Sequence, residues 1–342
     1  MPPAVCRDNQ KTMDTTKYLV VSDCNHADFA EERKVAADNG LEFLNLYLLG
    51  KSENEIAEAL QNYSCIGNQR LYIGAALMDK LPNLKCIVRY GVGVDNIDIP
   101  AATKRGIAVC NVPDYGTQEV ASQAFAMFMA LTRKLKIIDH SLSAGGWNYK
   151  CSIPIKRYTE MTVGVIGYGR IGRMFAGMAA AMGCRIVVND ILYPADMSAE
   201  ARKAAGIEDD VTLMDLDSLL ACCDAVSLHC PLTGDTHYLI NKDTLAKMKD
   251  GAFLMNCARG GVVCEAELYE SLVSGKLAGA GVDTWEKEPT DPENPLLKLD
   301  NFLASPHMAW YSEEASSDLK RKLAEEVVRA MKGEPLQYQL NG

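Results

Sequence analysis

The segment Thr162-Val-Gly-Val-Ile-Gly-Tyr-Gly-Arg-Ile-Gly172 constrains this chain more than any other. Apolar β-formers lead into Gly167-Tyr168-Gly169-Arg170-Ile171-Gly172. The helix-compatible run Arg173 to Met182 follows, and a second strand-like run, Arg185 to Asn189, stops at Asp190. Glycines collect in ordinary turns, so a G-x-G-x-x-G alone is a weak signal. Between a strand and a helix, with an acid closing the next strand, it marks a dinucleotide-binding βαβ unit. Gly167 allows the tight turn, Gly169 lets a pyrophosphate approach the backbone, and Gly172 lets the helix pack close to the sheet. The helix N-terminus presents unpaired N–H groups to phosphates. Asp190 is placed to accept from ribose hydroxyls and to repel a 2′-phosphate. No Arg or Lys directly follows it, so NAD is expected over NADP.

At 342 residues the chain has room for two domains. A hydrophobic content of 48% with 23% charged residues is that of a soluble globular protein. The net charge of −10 argues against nonspecific nucleic-acid binding, which needs a basic surface. The twelve cysteines are scattered, with no C-x-x-C, and read as free thiols of a reducing cytoplasm. His140, His229 and His237 show no metal-ligand spacing, so no metal is expected. Residues 1–16 are polar and read as a disordered leader without a signal peptide, with Met13 as an alternative start. The longest apolar run, Ala124 to Leu131, is too short to span a bilayer, and a cytoplasmic protein without membrane association is expected.

Strand and helix signals alternate along the chain. Strands are expected at Tyr18–Val21, Glu42–Leu46, Leu84–Arg89 and Ile107–Cys110, with helices near 29–39 and 53–61, the latter behind a Ser52 cap. One long helix, apolar nearly all round in its first half, is expected from Thr117 to about Ser143. After the glycine-rich unit come strands at Asp224–Cys230, Ala252–Asn256, Ala278–Asp283 and Asn301–Ser305. Their near-continuous apolar character fits a parallel sheet covered on both faces. An amphipathic helix, about Ser312 to Lys332, ends the pattern and is placed to return to the first domain.

Ligands of open α/β sheets sit beyond the carboxyl ends of strands. Three polar residues fall at such ends: Arg259 in Asn256-Cys-Ala-Arg-Gly-Gly261, Glu288 in Trp285-Glu-Lys-Glu-Pro289, and His307 in Ser305-Pro-His307. Each alone is more often a turn residue. Behind a dinucleotide fingerprint they suit hydride transfer at a hydroxyl carbon. Histidine is the default acid/base near neutral pH. A neighbouring carboxylate fixes its tautomer and favours the protonated ring. An arginine fork holds a carboxylate or polarises a carbonyl.

With these residues, and with Arg89-Tyr-Gly-Val-Gly-Val-Asp-Asn96, Leu228-His-Cys-Pro-Leu-Thr233 and Gly281-Val-Asp283, the chain from about Leu19 to Lys332 resembles the D-isomer-specific 2-hydroxyacid dehydrogenases. Trp310-Tyr-Ser-Glu-Glu-Ala315 is most similar to the C-terminal-binding-protein branch of that family. The resemblance implies a Rossmann-type doubly wound parallel sheet over 114–307, and a smaller flavodoxin-like α/β substrate domain from 17–113 and 308–342. It implies Arg259, Glu288 and His307 as the catalytic set. Gly167, Gly169, Arg170, Ile171, Asp190, Cys230, Pro231, Thr236, Cys257, Ala258, Asp283 and His307 would line the NAD site, with Asp283 at the nicotinamide carboxamide. Arg89, Val92, Gly93, Arg259 and Trp310 would hold the substrate. A homodimer formed through the nucleotide domains is also implied. Cys257 and Cys264 depart from the family, which often has a hydroxyl residue and an acid there. Cys257 reads as packing with a possible sensitivity to oxidation. The end at Gly342 reads as absence of the C-terminal regulatory domain of many phosphoglycerate dehydrogenases.

The expected activity is an NAD-dependent dehydrogenase acting as a reductase of a small 2-keto acid to its 2-hydroxy acid. Phosphoglycerate dehydrogenase and hydroxypyruvate or glyoxylate reductase are the alternatives within the enzyme class. An NAD(H)-sensing, peptide-binding protein like those of the C-terminal-binding branch is the alternative outside it.

Overall fold

The computed structural model describes residues 14–342. The leader expected over 1–16 therefore lies mostly outside the described residues. Within them, Asp14 caps a short 3₁₀ turn, Thr15–Lys17, by accepting from the Thr16 N–H. The chain forms two units: the residues up to Gly116 together with Ser312–Gly342, and Thr117–Tyr311. The return to the first unit comes after Tyr311 rather than after His307. The reason is local: the Met308 and Ala309 N–H groups donate to the Asp283 carboxylate of the second unit.

The first unit is built on a five-stranded parallel sheet of β1 (Tyr18–Val21), β2 (Glu42–Asn45), β3 (Cys65–Asn68), β4 (Cys86–Arg89) and β5 (Ala108–Cys110). The order is β2-β1-β3-β4-β5, the flavodoxin-like arrangement. The Glu53–Leu60 helix starts on a Ser52 capping box with Glu55. The strand β3 carries no sequence signal, since Gly67 and Asn68 are poor strand formers. Burial selects it: all four residues are covered, and a Cβ on Gly67 would lie 2.9 Å from Val21 Cγ2 and 3.1 Å from Leu323 Cδ2. Leu323 belongs to the terminal helix Glu313–Lys332, which buries Leu319, Leu323 and Val327 and packs on β3 and β4. Each such side chain contributes about 1.5–3 kcal/mol by burial.

The second unit holds a seven-stranded parallel sheet: β6 (Thr162–Ile166), β7 (Arg185–Asn189), β8 (Thr212–Leu213), β9 (Ala225–Leu228), β10 (Ala252–Asn256), β11 (Leu277–Val282) and β12 (Phe302–Ala304). Its order, β12-β11-β10-β9-β6-β7-β8, is doubly wound and reverses direction between β6 and β9. Such a switch point opens a crevice at the carboxyl ends of the strands. The glycine loop leaves β6 there.

The expected single helix from Thr117 to Ser143 is two. Thr117–Thr132 ends before Arg133, and Leu135–Ser143 starts after Lys134, whose φ of 55° is left-handed and breaks the hydrogen-bond ladder. The first helix buries Ala124, Met127, Phe128 and Leu131 against β10 and β11. Gly279 and Gly281 make that approach possible, because a Cβ at either would meet Leu131 or Met127 at about 3 Å. The second helix has no buried residue. Among the described residues, no helix is long and apolar enough to cross a membrane.

Candidate active site

Six strand ends of the second unit deliver the expected residues to one edge: β6 to Gly167, β7 to Asp190, β9 to Cys230, β10 to Arg259, β11 to Asp283 and β12 to His307. At the switch point Gly167 has φ 91°, and a Cβ on it would collide with the His229–Cys230 peptide at the end of β9. A Cβ on Gly172 would overlap the Gly167 carbonyl oxygen. Gly169 faces open space and is the N-cap of Arg170–Ala181, with no side-chain cap. Arg170 is exposed and Ile171 half-buried beside it. The first N–H groups of this helix are therefore uncapped at an open edge, the arrangement that seats an anion.

Asp190 accepts from the Tyr168 N–H at 2.6 Å through Oδ2 and from the Leu192 N–H at 2.8 Å through Oδ1. It thus clamps the glycine loop to the end of β7. A carboxylate has about four acceptor positions, so further hydroxyls can still bind it. Arg173 is held away by other contacts: it lies over the rings of Tyr168 and Tyr193 at 4.5 and 5.3 Å and donates to the Gly206 carbonyl. Beyond Asp190, Ile191 is 97% exposed and Leu192 is also exposed. This apolar rim was not singled out from the sequence.

The loop after β9 is folded by Thr236, whose hydroxyl donates to the Pro231 carbonyl at 2.6 Å and accepts from the Thr233 N–H at 2.7 Å. Cys230 and Cys257 are both buried. Burial pushes the Cys230 thiol up to about 11 and the Cys257 thiol well above its ordinary range. The Cys257 Sγ lies 3.9 Å from Met127 Sδ, within the core, so the protonated thiol has a packing role. His229 is pulled down to about 3 by burial, with Nε2 2.9 Å from the Ser227 hydroxyl and its ring 5.3 Å from that of Phe175. It stays neutral and locked at working pH.

His307 is the histidine of this edge that is paired with a carboxylate. Its Nδ1 lies 2.7 and 2.8 Å from the two Glu288 oxygens, and both side chains are about one-third exposed. Nδ1–H donating to the carboxylate leaves Nε2 as the other ring position. The residue has φ 52°, a left-handed conformation that a non-glycine residue holds only when its surroundings impose it. Asp283, 1% exposed, imposes it. Its backbone carbonyl accepts from the His307 N–H at 2.8 Å. Its carboxylate accepts from the Met308 N–H at 2.9 Å, the Ala309 N–H at 3.0 Å and the Ser305 hydroxyl at 2.5 Å.

Glu288 is tied down in turn. Its Oε1 accepts from the Trp285 N–H at 3.1 Å, and the Trp285 indole donates to the Ser305 carbonyl at 3.0 Å. Arg259 extends from a loop shaped by Asn256, whose side chain accepts from the Ala258 N–H and donates to the Arg259 carbonyl. One guanidinium N–H donates to the Ala258 carbonyl at 2.7 Å. A Cβ on Gly260 would overlap the Trp285 carbonyl, so the arginine loop and the Glu288 loop are in backbone contact. Ser305, Trp285, Asn256 and Gly260 were not expected from sequence. A buried aspartate closing β11 was the available signal for this network. Trp310, half-buried, packs edge-on to Tyr311 at 5.6 Å.

The remaining expected residues belong to the first unit. Arg89 ends β4, half-buried. Gly91 has φ 121°, and a Cβ there would overlap the Arg89 guanidinium. Asn111 donates to the Val92 carbonyl at 2.7 Å and fixes the loop. Among the described residues, the Val92 and Gly93 N–H groups donate to no protein acceptor.

Residues 125–309 match the model of the NAD-binding domain of the D-isomer-specific 2-hydroxyacid dehydrogenases. A D-3-phosphoglycerate dehydrogenase of Archaeoglobus fulgidus is 40% identical over 293 residues, 85% of this chain and 54% of that protein. A glyoxylate reductase of Korarchaeum cryptofilum is 38% identical over 265 residues, 77% of each. The chain spans about half the length of the phosphoglycerate dehydrogenases it matches. The crystal structure of D-lactate dehydrogenase from Aquifex aeolicus, complexed with NAD and lactic acid, superimposes with a TM-score of 0.81. It has 28% identity and covers 95% of this chain and 99% of that one.

Two glycines of this edge separate packing from ligand access. Gly260→Ala forces a methyl group into the Trp285 peptide, and the loss in urea-unfolding free energy is expected to be about 1–3 kcal/mol. Gly169→Ala meets open space and should leave stability within about 0.5 kcal/mol of wild type. Equal stability losses in the two variants would contradict this geometry.

Proposed function

The chain belongs to the D-isomer-specific 2-hydroxyacid dehydrogenase family, and from that premise we propose that it is an NAD-dependent dehydrogenase that reduces a small 2-keto acid to its D-2-hydroxy acid. The observation that carries this reading is the Glu288–His307 pair at 2.7 Å, held on a constrained turn at the sheet edge that also carries Arg259. The second unit is read as the nucleotide domain and the first as the substrate domain.

The open helix terminus behind Gly169 and the loop around Gly167 fit a dinucleotide pyrophosphate. Asp190 would bind the ribose hydroxyls, and backbone groups of Cys230, Pro231, Cys257 and Ala258 would line the bound cofactor with Arg170, Ile171 and Thr236. Asp283 retains acceptor capacity for a carboxamide. When bound, nicotinamide supplies the hydride for the keto carbon.

The chain's own residues handle the proton and the charge. Glu288 orients His307 through Nδ1, and Nε2 passes its proton to the keto oxygen. Arg259 holds the substrate carboxylate and stabilises negative charge developing on that oxygen. Arg89, the Val92 and Gly93 N–H groups and Trp310 complete the substrate contacts. Glyoxylate, hydroxypyruvate and its 3-phosphate are the substrate class that the relatives' names support.

A homodimer built through the second unit is part of the proposal. Leu135, Leu142, Trp147, Tyr149 and Ile153 are exposed within one short stretch, with Trp147 91% exposed. Exposed apolar side chains gathered in one stretch of chain suit a second copy of the chain.

His307→Ala should retain NADH binding by fluorescence titration while kcat falls by about 10²–10⁴. Near-wild-type turnover would remove His307 from the reaction. Steady-state comparison of NADH with NADPH should favour NADH strongly, and Asp190→Ala should erode that bias. Equal use by wild type would mean that Asp190 does not read the ribose. In sedimentation velocity the wild type should run at twice the chain mass, and a Leu142→Ser/Trp147→Ser variant as a monomer. A wild-type monomer would overturn the dimer.

A further inference from the structure

We infer that the first unit carries a second ligand site, for a small hydroxylated anion, at the amino-terminal edge of its sheet. A cavity of about 430 Å³ opens there. That volume lies within the range of small-molecule sites, about 300–1,000 Å³. Its walls are where strands begin: Tyr18 is the first residue of β1, Cys65 the first of β3, and Lys85 and Leu41 directly precede β4 and β2. Substrates and cofactors of parallel sheets bind at the opposite, carboxyl edge. The cavity is therefore separate from the residues of the proposed reaction, and the inference does not rest on that reaction.

The lining selects for charge. Lys85 and Lys332 face it and, among the described residues, no Asp or Glu lines it, although the chain has 45 acids against 35 bases. Lys332 is held by a neutral group, the Asn39 side-chain oxygen, at 2.8 Å. Among the described residues, the Lys85 ammonium and the Tyr18 and Tyr63 hydroxyls have no hydrogen-bond partner. Tyr63 is buried as a residue but lines the cavity. Burial raises its pKa, so it remains a donor. Leu41, Val328 and Met331 add apolar wall. Two cations, phenol donors and the Asn62 carboxamide match an anion of about two charges that also carries hydroxyls. A phosphate monoester or a hydroxylated dicarboxylate meets that description.

Calorimetric titration of the full chain tests it, with inorganic phosphate, glycerol phosphate and tartrate as probes and glycerol as the neutral control. The Arg259→Ala background removes one competing anion seat of the second unit, and the lysine substitutions separate the cavity from the open helix terminus behind Gly169. At least one anion should bind saturably in that background, and glycerol should not. Lys85→Gln should weaken binding on the order of tenfold, and addition of Lys332→Gln should weaken it further, as expected for lost charged hydrogen bonds. Tyr63→Phe should cause a smaller loss. Binding of glycerol phosphate alone would identify the phosphoryl group as the feature recognised, and binding of tartrate alone the carboxylates; either supports the site. No saturable heat with any anion, or isotherms unchanged by the lysine substitutions, would overturn it. Lys85→Gln alone suffices for this comparison if the double variant folds poorly.

Discussion

One buried carboxylate holds the candidate edge together. Asp283 closes β11, and its oxygens accept two backbone N–H groups and one hydroxyl from the turn after β12. Those bonds keep His307 in a left-handed conformation it would not adopt unaided. They offset the cost of burying the charge, because each carboxylate oxygen has a donor. They also decide where the chain changes unit, since the residues up to Tyr311 are drawn onto the second sheet. The histidine direction, the Glu288 contact and the domain boundary thus depend on the same group.

Around that anchor, the doubly wound sheet does the placing. Parallel strands end at one edge, so residues distant in sequence arrive together without a dedicated scaffold. Glycines set how closely the layers approach. Gly279 and Gly281 admit the Thr117–Thr132 helix onto β11, and Gly260 admits the arginine loop onto the Trp285 peptide. Gly169 alone in this group faces open space, which leaves the helix terminus accessible. Within this edge, glycines that packing requires are therefore distinguishable from the open one by what a Cβ would meet.

The parts legible in the sequence were those governed by local rules. The βαβ unit around Gly167, the Ser52 cap and the strands of continuous apolar residues each carry a signal within a few residues. The polar residues just past strand ends, Arg259, Glu288 and His307, were legible because topology sends such positions to one edge. What was not legible depends on distant partners. The strand β3 is a strand because Val21 and Leu323 close over Gly67. The helix break at Lys134 arises from a left-handed lysine, which composition does not announce. The inward direction of Cys257, toward Met127, and the pinning of His307 by Asp283 are long-range facts. Asp190 shows a mixture: its position was legible, but its clamp on the Tyr168 N–H was not.

The central claim is that this edge performs reduction of a keto acid, with His307 as proton donor. Its most direct test is a panel of 2-keto acids, including glyoxylate, hydroxypyruvate and 3-phosphohydroxypyruvate, incubated with NADH and followed by loss of NADH absorbance, with chiral analysis of the product where it is chiral. The account predicts saturable turnover on at least one acid, with the D isomer formed from a prochiral one. Tight NADH binding without turnover on any member of the panel would contradict it.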